Sequence, residues 1–240
     1  MHSFYIEGKG AAGETARLLD EEARHACRVL RMKPGDEFCA LDGAARFLAE
    51  FVSVGADGAQ ALLKQVLPDN ESPVRLTIYQ GVAKSDKLEL IAQKLTELGV
   101  DALVPVRMAR SVAKLDGAAR VERLSKIAHE AAKQCRRARR MRVEAPLNLD
   151  KALAAMQAHD LLLVPWEDAR ARRMKDALAE APGARDIGIV IGPEGGIDPS
   201  EIERMEAAGA RCVTLGPRIL RTETAAITAA ALAMSLWGDL

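Results

Sequence analysis

Short apolar runs alternate with turn residues over the first 67 positions of the chain. The three clearest runs are Glu37–Leu41, Phe47–Val54 and Ala59–Val66. The turns that precede them are Lys33–Asp36, Asp42-Gly43 and Ala56–Gly58. Short strands at this regular spacing predict a small β-barrel, which one helix over Asp20–Leu30 interrupts.

The pattern changes after Pro68–Pro73, a polar segment bounded by prolines that predicts a linker. Beyond it, apolar runs alternate with helical segments. The predicted strands are Val74–Val82, Ala102–Val106, Leu161–Val164, Ile187–Ile191 and Arg211–Leu215. The predicted helices are one that Ser85 caps and Gly99 ends, Ala118–Arg137, residues 149–158, residues 170–180 and Thr222–Trp237. This alternation predicts an α/β domain with a mostly parallel sheet over residues 73–240, after a barrel domain over residues 1–70.

A glycine-rich turn, Ile191–Gly196, follows one of the predicted buried strands. Asp198 can cap the helix after it, and Glu201 completes a capping box. Ligands bind in open α/β sheets at such carboxyl ends of strands. The turn has neither a dinucleotide-binding nor a P-loop motif. Because the carboxylate of Glu194 would repel a phosphate, the turn favours a neutral or cationic ligand, with a purely structural turn as the alternative.

A second turn, Leu215–Ala225, repeats this arrangement. It leaves a predicted strand, turns at Gly216-Pro217, and enters a helix that Thr222 can cap. Two such turns after neighbouring strands would close one pocket. The helix that follows, up to Trp237, is apolar nearly all round, which is typical of a subunit interface or of a buried core helix.

Charge is balanced over the whole chain, with 34 Lys and Arg against 34 Asp and Glu. It is concentrated, however, in residues 120–142, where nine cations and two acids give a net charge of +7. This concentration favours a phosphate-binding face over a solvated helix end. Two smaller basic groups are Arg28, Arg31 and Lys33, and Lys84 with Lys87.

The cysteines and histidines show no metal-ligand spacing, so we expect no metal and reduced thiols. The first ten residues lack the apolar core of a signal peptide, and no apolar run is long enough to span a membrane. These features predict a cytoplasmic protein. Aromatic residues make up 3% of the chain, which argues against a base-stacking platform.

Taken together, the motifs identify a family resemblance. They are His25–Arg31 with Pro34–Asp36, Lys84–Lys87, Lys94–Gly99, Glu130–Gln134, Ile191–Gly196 and Leu215–Ala225. In them the chain resembles, nearly end to end, the bacterial uridine-N3 methyltransferases of 16S rRNA in the SPOUT superfamily. It departs from their pattern at the amino terminus, where His2 precedes Phe4-Tyr5 and the family usually has an arginine.

The resemblance implies a PUA-like β-barrel followed by a SPOUT α/β methyltransferase domain with a trefoil knot. It also implies a homodimer, S-adenosylmethionine as the cofactor, and 16S rRNA of the small ribosomal subunit as the partner. The implied cofactor-binding residues are Leu163, Val164, Pro165, Gly192, Pro193, Glu194, Gly195, Gly196, Leu215, Gly216, Ile219 and Leu220.

The chemistry of uridine suggests two catalytic residues. N3 must lose a weakly acidic proton, and negative charge develops on the uracil oxygens. We expect Arg221 to stabilise that charge and Glu223 to orient Arg221 or to accept the proton. The expected RNA-binding residues are Arg28, Arg31, Lys84, Lys87, Arg110, Arg136, Arg137, Arg139 and Arg140. The alternatives are a related enzyme that methylates another atom, such as a ribose 2′-oxygen, and an RNA-binding factor without activity.

Overall fold

The computed structural model describes residues 1–55, 58–113, 117–169 and 172–240. The chain divides into two compact units. Unit 1 comprises Met1–Glu71 together with His129–Arg140, and unit 2 comprises Ser72–Ala128 and Met141–Leu240. The chain therefore leaves unit 1 within the predicted linker. It returns to unit 1 for the twelve residues His129–Arg140, which the sequence pattern did not predict to belong to the barrel domain.

Unit 1 is built on five strands in the order β1-β3-β4-β5-β2. They are β1 (Ser3–Tyr5), β2 (Thr15–Arg17), β3 (Glu37–Leu41), β4 (Arg46–Gly55) and β5 (Gly58–Val66). A bridge between Ile6 and Leu18 joins the two edges of the sheet, as expected for a small barrel. Ala56 and Asp57 of the predicted third turn lie outside the described residues.

The barrel core contains all four phenylalanines of the chain, Phe4, Phe38, Phe47 and Phe51, each at most 1% exposed. The predicted helix consists of α1 (Asp20–Arg24) and a π-helical turn over His25–Val29. Arg31 follows with φ 54°, in the left-handed region. Non-glycine residues seldom adopt that conformation, and π-helical turns are frequent at functional sites.

Buried ion pairs hold the segment His129–Arg140 within unit 1. The Glu22 carboxylate, 1% exposed, lies 3.0 Å from Lys133 Nζ and 3.1 Å from His129 Nε2. Burial raises the pKa of Glu22, but these two partners outweigh it and hold that pKa below its ordinary value. Glu71 lies 2.9 Å from Arg137 Nη2, and both side chains are at most 5% exposed. The polar segment Pro68–Pro73 therefore contributes a buried anchor as well as a connection.

Unit 2 contains one sheet in which every strand pair is parallel, with the order β12-β10-β11-β6-β7-β8 and with β9 also paired to β7. The strands are β6 (Arg75–Gly81), β7 (Ala102–Arg107), β8 (Arg142–Val143), β9 (Leu147–Asn148), β10 (Leu161–Pro165), β11 (Asp186–Ile191) and β12 (Arg211–Val213). The predicted fold class is confirmed: a parallel-sheet α/β domain follows a small β-barrel domain.

Helices cover both faces of this sheet. They are α2 (Ser85–Glu97), α4 (Leu149–Met156), α5 (Met174–Ala179), α6 (Pro199–Ala207) and α7 (Thr222–Trp237), and α3 (Ala118–Cys135) begins in this unit. Ile189 of β11 packs in the core that α2 and α7 cover, whereas Val190 packs in the core under α4 and α6. Arg170 and Ala171, where a helix was predicted to start, lie outside the described residues.

The start of α6 is as predicted, since Asp198 and Glu201 form a complete capping box. Two other cap predictions are wrong by one residue. Ser85 and Thr222 are the first residues of their helices, so the N-caps are Lys84 and Arg221. Within the described ranges, no helix is both long and apolar enough to cross a membrane.

Candidate active site

A cavity of about 410 Å³ opens in unit 2 where β10, β11 and β12 end. This volume lies within the range of about 300–1,000 Å³ that is typical of ligand pockets. Both glycine turns line it, as the sequence predicted. The lining residues are Lys87, Pro165–Glu167, Ile191–Ile197, Thr214–Thr222 and Ala225.

Most of the predicted cofactor-binding residues lie in this lining, but Leu163 and Val164 do not. Both are fully buried, Leu163 in the core beneath α7 and Val164 in the opposite core. Because side chains of a strand alternate between its two faces, only the strand end at Pro165 reaches the cavity. Trp166 and Glu167, which were not among the predicted cofactor-binding residues, line the cavity next to it.

The first glycine turn packs against the end of β6 with no space for a side chain. A Cβ atom on Gly81 would lie 2.5 Å from both the backbone nitrogen and Cδ of Pro193. Gly196, at the end of the turn, has φ 74°, a conformation that glycine adopts without strain. The path of the first glycine turn therefore depends on Gly81, against which it packs, and on Gly196 within the turn.

A buried hydrogen-bond network ties the two turns together. Gln80 is fully buried, and its Nε2 donates to Thr222 Oγ1 at 2.8 Å. Thr222 Oγ1 in turn donates to the carbonyl of Gly192 at 2.6 Å. Thr222 thus fixes the start of α7 to the first glycine turn instead of capping its own helix. A lone amide within the apolar strand Arg75–Gly81 was the only sequence sign of this network.

Lys87 lies between two carboxylates at the cavity wall. Its Nζ is 3.5 Å from Glu194 Oε1 and 3.5 Å from Glu223 Oε2. Burial raises the pKa of Glu194, but the Lys84 N–H at 3.1 Å and the Lys87 ammonium lower it below its ordinary value overall. Lys87, predicted to bind RNA, is therefore paired within the pocket. Glu223 pairs with Lys87, and no ion pair joins it to Arg221 within the described part of the chain.

Arg110 and Arg221 have different surroundings. Arg110, predicted to bind RNA, supports the first glycine turn: its Nη2 lies 3.2 Å from Asp198 Oδ2 and its Nη1 donates to the Gly195 carbonyl at 3.5 Å. Arg221 is exposed, lines the cavity, and makes no ion pair in the described part of the chain. Its guanidinium is available to a substrate at the rim.

In unit 1, the predicted RNA-binding residues Arg28, Arg31, Arg136, Arg139 and Arg140 are exposed. Arg140 stacks over the Tyr5 ring, with Cζ 4.1 Å from the ring centroid. Arg137, also predicted to contact RNA, is only 4% exposed and is paired with Glu71, so little of its side chain is accessible. Lys84, in unit 2, is exposed beside the cavity's first turn.

This parallel-sheet domain, with a cavity at its strand ends and a small barrel before it, matches a known class. Residues 70–234 match the family described as the RNA methyltransferase domain, and residues 18–64 match the RNA methyltransferase PUA domain. The chain belongs to this family of RNA methyltransferases. The family resemblance drawn from the motifs is thereby confirmed.

Individual relatives specify which RNA methyltransferases the chain is similar to. The chain is 39% identical over 226 residues to ribosomal RNA small subunit methyltransferase E of Bacillus subtilis, covering 90% of this chain and 88% of that one. It is 35% identical to the Mycobacterium bovis protein of the same name, covering 94% and 88%. Among solved structures it is similar to a Neisseria gonorrhoeae ribosomal RNA small subunit methyltransferase E bound to S-adenosyl methionine. The TM-score is 0.88 at 32% identity, with 100% and 99% of the chains covered.

Proposed function

We propose that this protein methylates N3 of a uridine in the 16S rRNA of the small ribosomal subunit, with S-adenosylmethionine as the methyl donor. The observation that carries the proposal is the single cavity formed by both glycine turns. It occurs in a chain that is similar, over its whole length, to an enzyme bound to that cofactor.

The chemistry of the cavity fits this cofactor. Its wall offers backbone groups of Gly192–Gly196 and apolar side chains such as Leu215 and Ile219. The carboxylates of Glu167 and Glu194 suit a cationic ligand that carries no phosphate. The residues that would hold the cofactor are Pro165, Gly192–Gly196, Leu215, Gly216, Ile219 and Leu220. When bound, S-adenosylmethionine supplies an electrophilic methyl group on a sulfonium sulfur.

The chain's own residues supply positioning and charge stabilisation. Within the described residues the Arg221 guanidinium has no ion-pair partner, and it lies at the cavity rim, where it can donate to a uracil oxygen as negative charge develops during loss of the N3 proton. Glu223 remains our candidate for the proton acceptor. Its Oε2 is buried, accepts no hydrogen bond in the described part of the chain and lies 3.5 Å from Nζ of Lys87, which lines the cavity, so Lys87 is the group that would pass the proton to it.

The RNA must present its target base to the cavity. N3 lies on the Watson–Crick edge, so the uridine has to be unpaired or flipped out of its helix. We assign the surrounding phosphates to the exposed arginines of unit 1, above all Arg28 beside the strained backbone at Arg31.

Replacement of Arg28 by glutamine is expected to weaken binding to small-subunit rRNA at every sequence tested. The slope of log affinity against log salt concentration should fall by about one, since one phosphate contact is lost. Filter binding over about 50–200 mM salt measures this slope. Lys175→Gln, an exposed residue of α5, is the control and should leave the slope unchanged. A wild-type slope for Arg28→Gln would remove Arg28 from the RNA interface.

We infer a homodimer, supported by the outer face of α7, where Ile227 and Ala231 are half-buried and Leu236 is 46% exposed. We place the protein in the cytoplasm, where the small ribosomal subunit of a bacterium is assembled.

Transfer of a radiolabelled methyl group from S-adenosylmethionine to small ribosomal subunits tests the proposed activity directly. Label in the RNA is the expected result. If calorimetric titration of the protein with S-adenosylmethionine detects no binding, the alternative of an RNA-binding factor without activity replaces the proposal.

A further inference from the structure

The cluster of Lys87, Glu194 and Glu223 contains one cation and two carboxylates, so it carries a net charge of −1. Its side chains are 22%, 23% and 15% exposed, respectively. Lys87 and Glu194 line the cavity, while Glu223 lies behind Lys87 at the start of α7. The ammonium lies 3.5 Å from a carboxylate oxygen on each side, which leaves one negative charge uncompensated.

Other charged residues of the lining do not neutralise this cluster. Glu167, Arg218 and Arg221 also line the cavity and are exposed; Glu194 is exposed as a whole residue too, but its side chain is only 23% exposed and lies against Lys87. Charges in contact with water are strongly screened, whereas a partly buried charge acts through a lower effective dielectric. The cluster is therefore the charged feature of the lining that a bound ligand would experience most strongly.

The methyl donor and the product left after transfer differ in charge, so a charged cluster binds them with different affinity. S-adenosylmethionine carries a positive sulfonium, and S-adenosylhomocysteine, the product left after methyl transfer, has a neutral thioether. Every other charged group is common to both molecules. Interactions with those common groups cancel in the ratio of the two affinities, so the ratio isolates the effect of the sulfonium charge.

We propose that Glu194, Glu223 and Lys87 act together as a charge selector that makes the cavity prefer the cationic methyl donor over its neutral product. The two carboxylates favour the sulfonium, and Lys87 limits that preference to the effect of one net charge. Loss of the positive charge on methyl transfer then weakens retention of the product. This inference rests on the proposed function, since it takes S-adenosylmethionine as the ligand.

Isothermal titration calorimetry of both ligands tests the selector in four proteins: wild type, Glu194→Gln, Glu223→Gln and Lys87→Met. Glutamine keeps the shape of glutamate and its ability to accept the Lys84 N–H, and methionine keeps the length of lysine. Each glutamine variant should bind the donor about three- to tenfold more weakly, the size expected for loss of one nearby charge. Affinity for the product should change by less than about twofold.

Lys87→Met should raise the ratio of donor affinity to product affinity, whereas the glutamine variants lower it. The reason is that Lys87→Met leaves two uncompensated carboxylates at the cavity. Glu167→Gln is the matched control, as it removes an exposed carboxylate from the same lining and should leave the ratio unchanged. Raising the salt concentration should reduce these differences only slightly, since the cluster is partly buried.

Three results would overturn the selector. The first is an unchanged ratio in all three cluster variants. The second is an equal loss of affinity for donor and product, which would show that the cluster only shapes the loop. The third is failure of the wild-type protein to bind either ligand, which alone would also refute the proposed cofactor. Thermal unfolding of each variant identifies any that lose the fold. Lysine and glutamate variants should change the ratio of donor to product affinity in opposite directions, which a general loss of fold would not do.

Discussion

Replacement of Arg221 by alanine is expected to lower the rate of methyl transfer to RNA by about 100- to 1,000-fold, the usual cost of removing one donor to a developing oxyanion. Affinity for S-adenosylmethionine should change by less than about threefold, because the guanidinium acts on the uracil and not on the cofactor. Single-turnover methylation with saturating RNA, together with cofactor titration, separates the two quantities.

The control for this prediction is Arg218→Ala. Arg218 is also exposed and also lines the cavity, three positions before Arg221. Its loss should cost much less in rate. If Arg221→Ala changes neither the methylation rate nor the cofactor affinity, Arg221 does not stabilise the charge on the uracil oxygen. If both variants lose the same amount of rate, the effect comes from positive charge at the cavity in general and not from Arg221 in particular.

Gly81→Ala is expected to displace the first glycine turn and to weaken binding of S-adenosylmethionine at least about tenfold. The added Cβ would stand 2.5 Å from two atoms of Pro193, one of them in the backbone, so the turn must move. Overpacking of this kind costs about 1–3 kcal/mol, which also predicts a lower midpoint of thermal unfolding. Calorimetric titration and thermal unfolding measure both effects.

A glycine in the same unit provides the matched control. Gly183 has no atom within 4 Å of the position of an added Cβ, so Gly183→Ala should leave both affinity and unfolding midpoint close to those of the wild type. If Gly81→Ala binds the cofactor as tightly as Gly183→Ala does, the first glycine turn does not form the cofactor site.

The sequence predicted the central strands of the parallel sheet well because these strands are mostly apolar runs. Ile187–Ile191 and Ala102–Val106 match β11 and β7 to within a residue at each end. The strands β1, β2, β8 and β9 have two or three residues each, which is too few to show a period. They form because longer neighbouring strands offer them hydrogen bonds.

Local pattern does not reveal the surroundings of a side chain that a distant partner holds. Local charge density gave Arg137 an RNA contact, but Glu71, 66 positions away, neutralises it. Thr222 has the right type and place for a helix cap, yet its hydroxyl binds the carbonyl of Gly192, 30 positions away. Neither partner can be identified from the local sequence pattern. The glycine turns can be identified from it, because their geometry is a local property of the backbone.

The position of the methyl group on the product distinguishes methylation of uridine N3 from every alternative activity. Small ribosomal subunits that lack the modification would be incubated with the protein and S-adenosylmethionine, and their rRNA digested to nucleosides for mass spectrometry. We expect 3-methyluridine as the new nucleoside. A 2′-O-methylated nucleoside, a methyl group on another base, or no methylated product at all would contradict it.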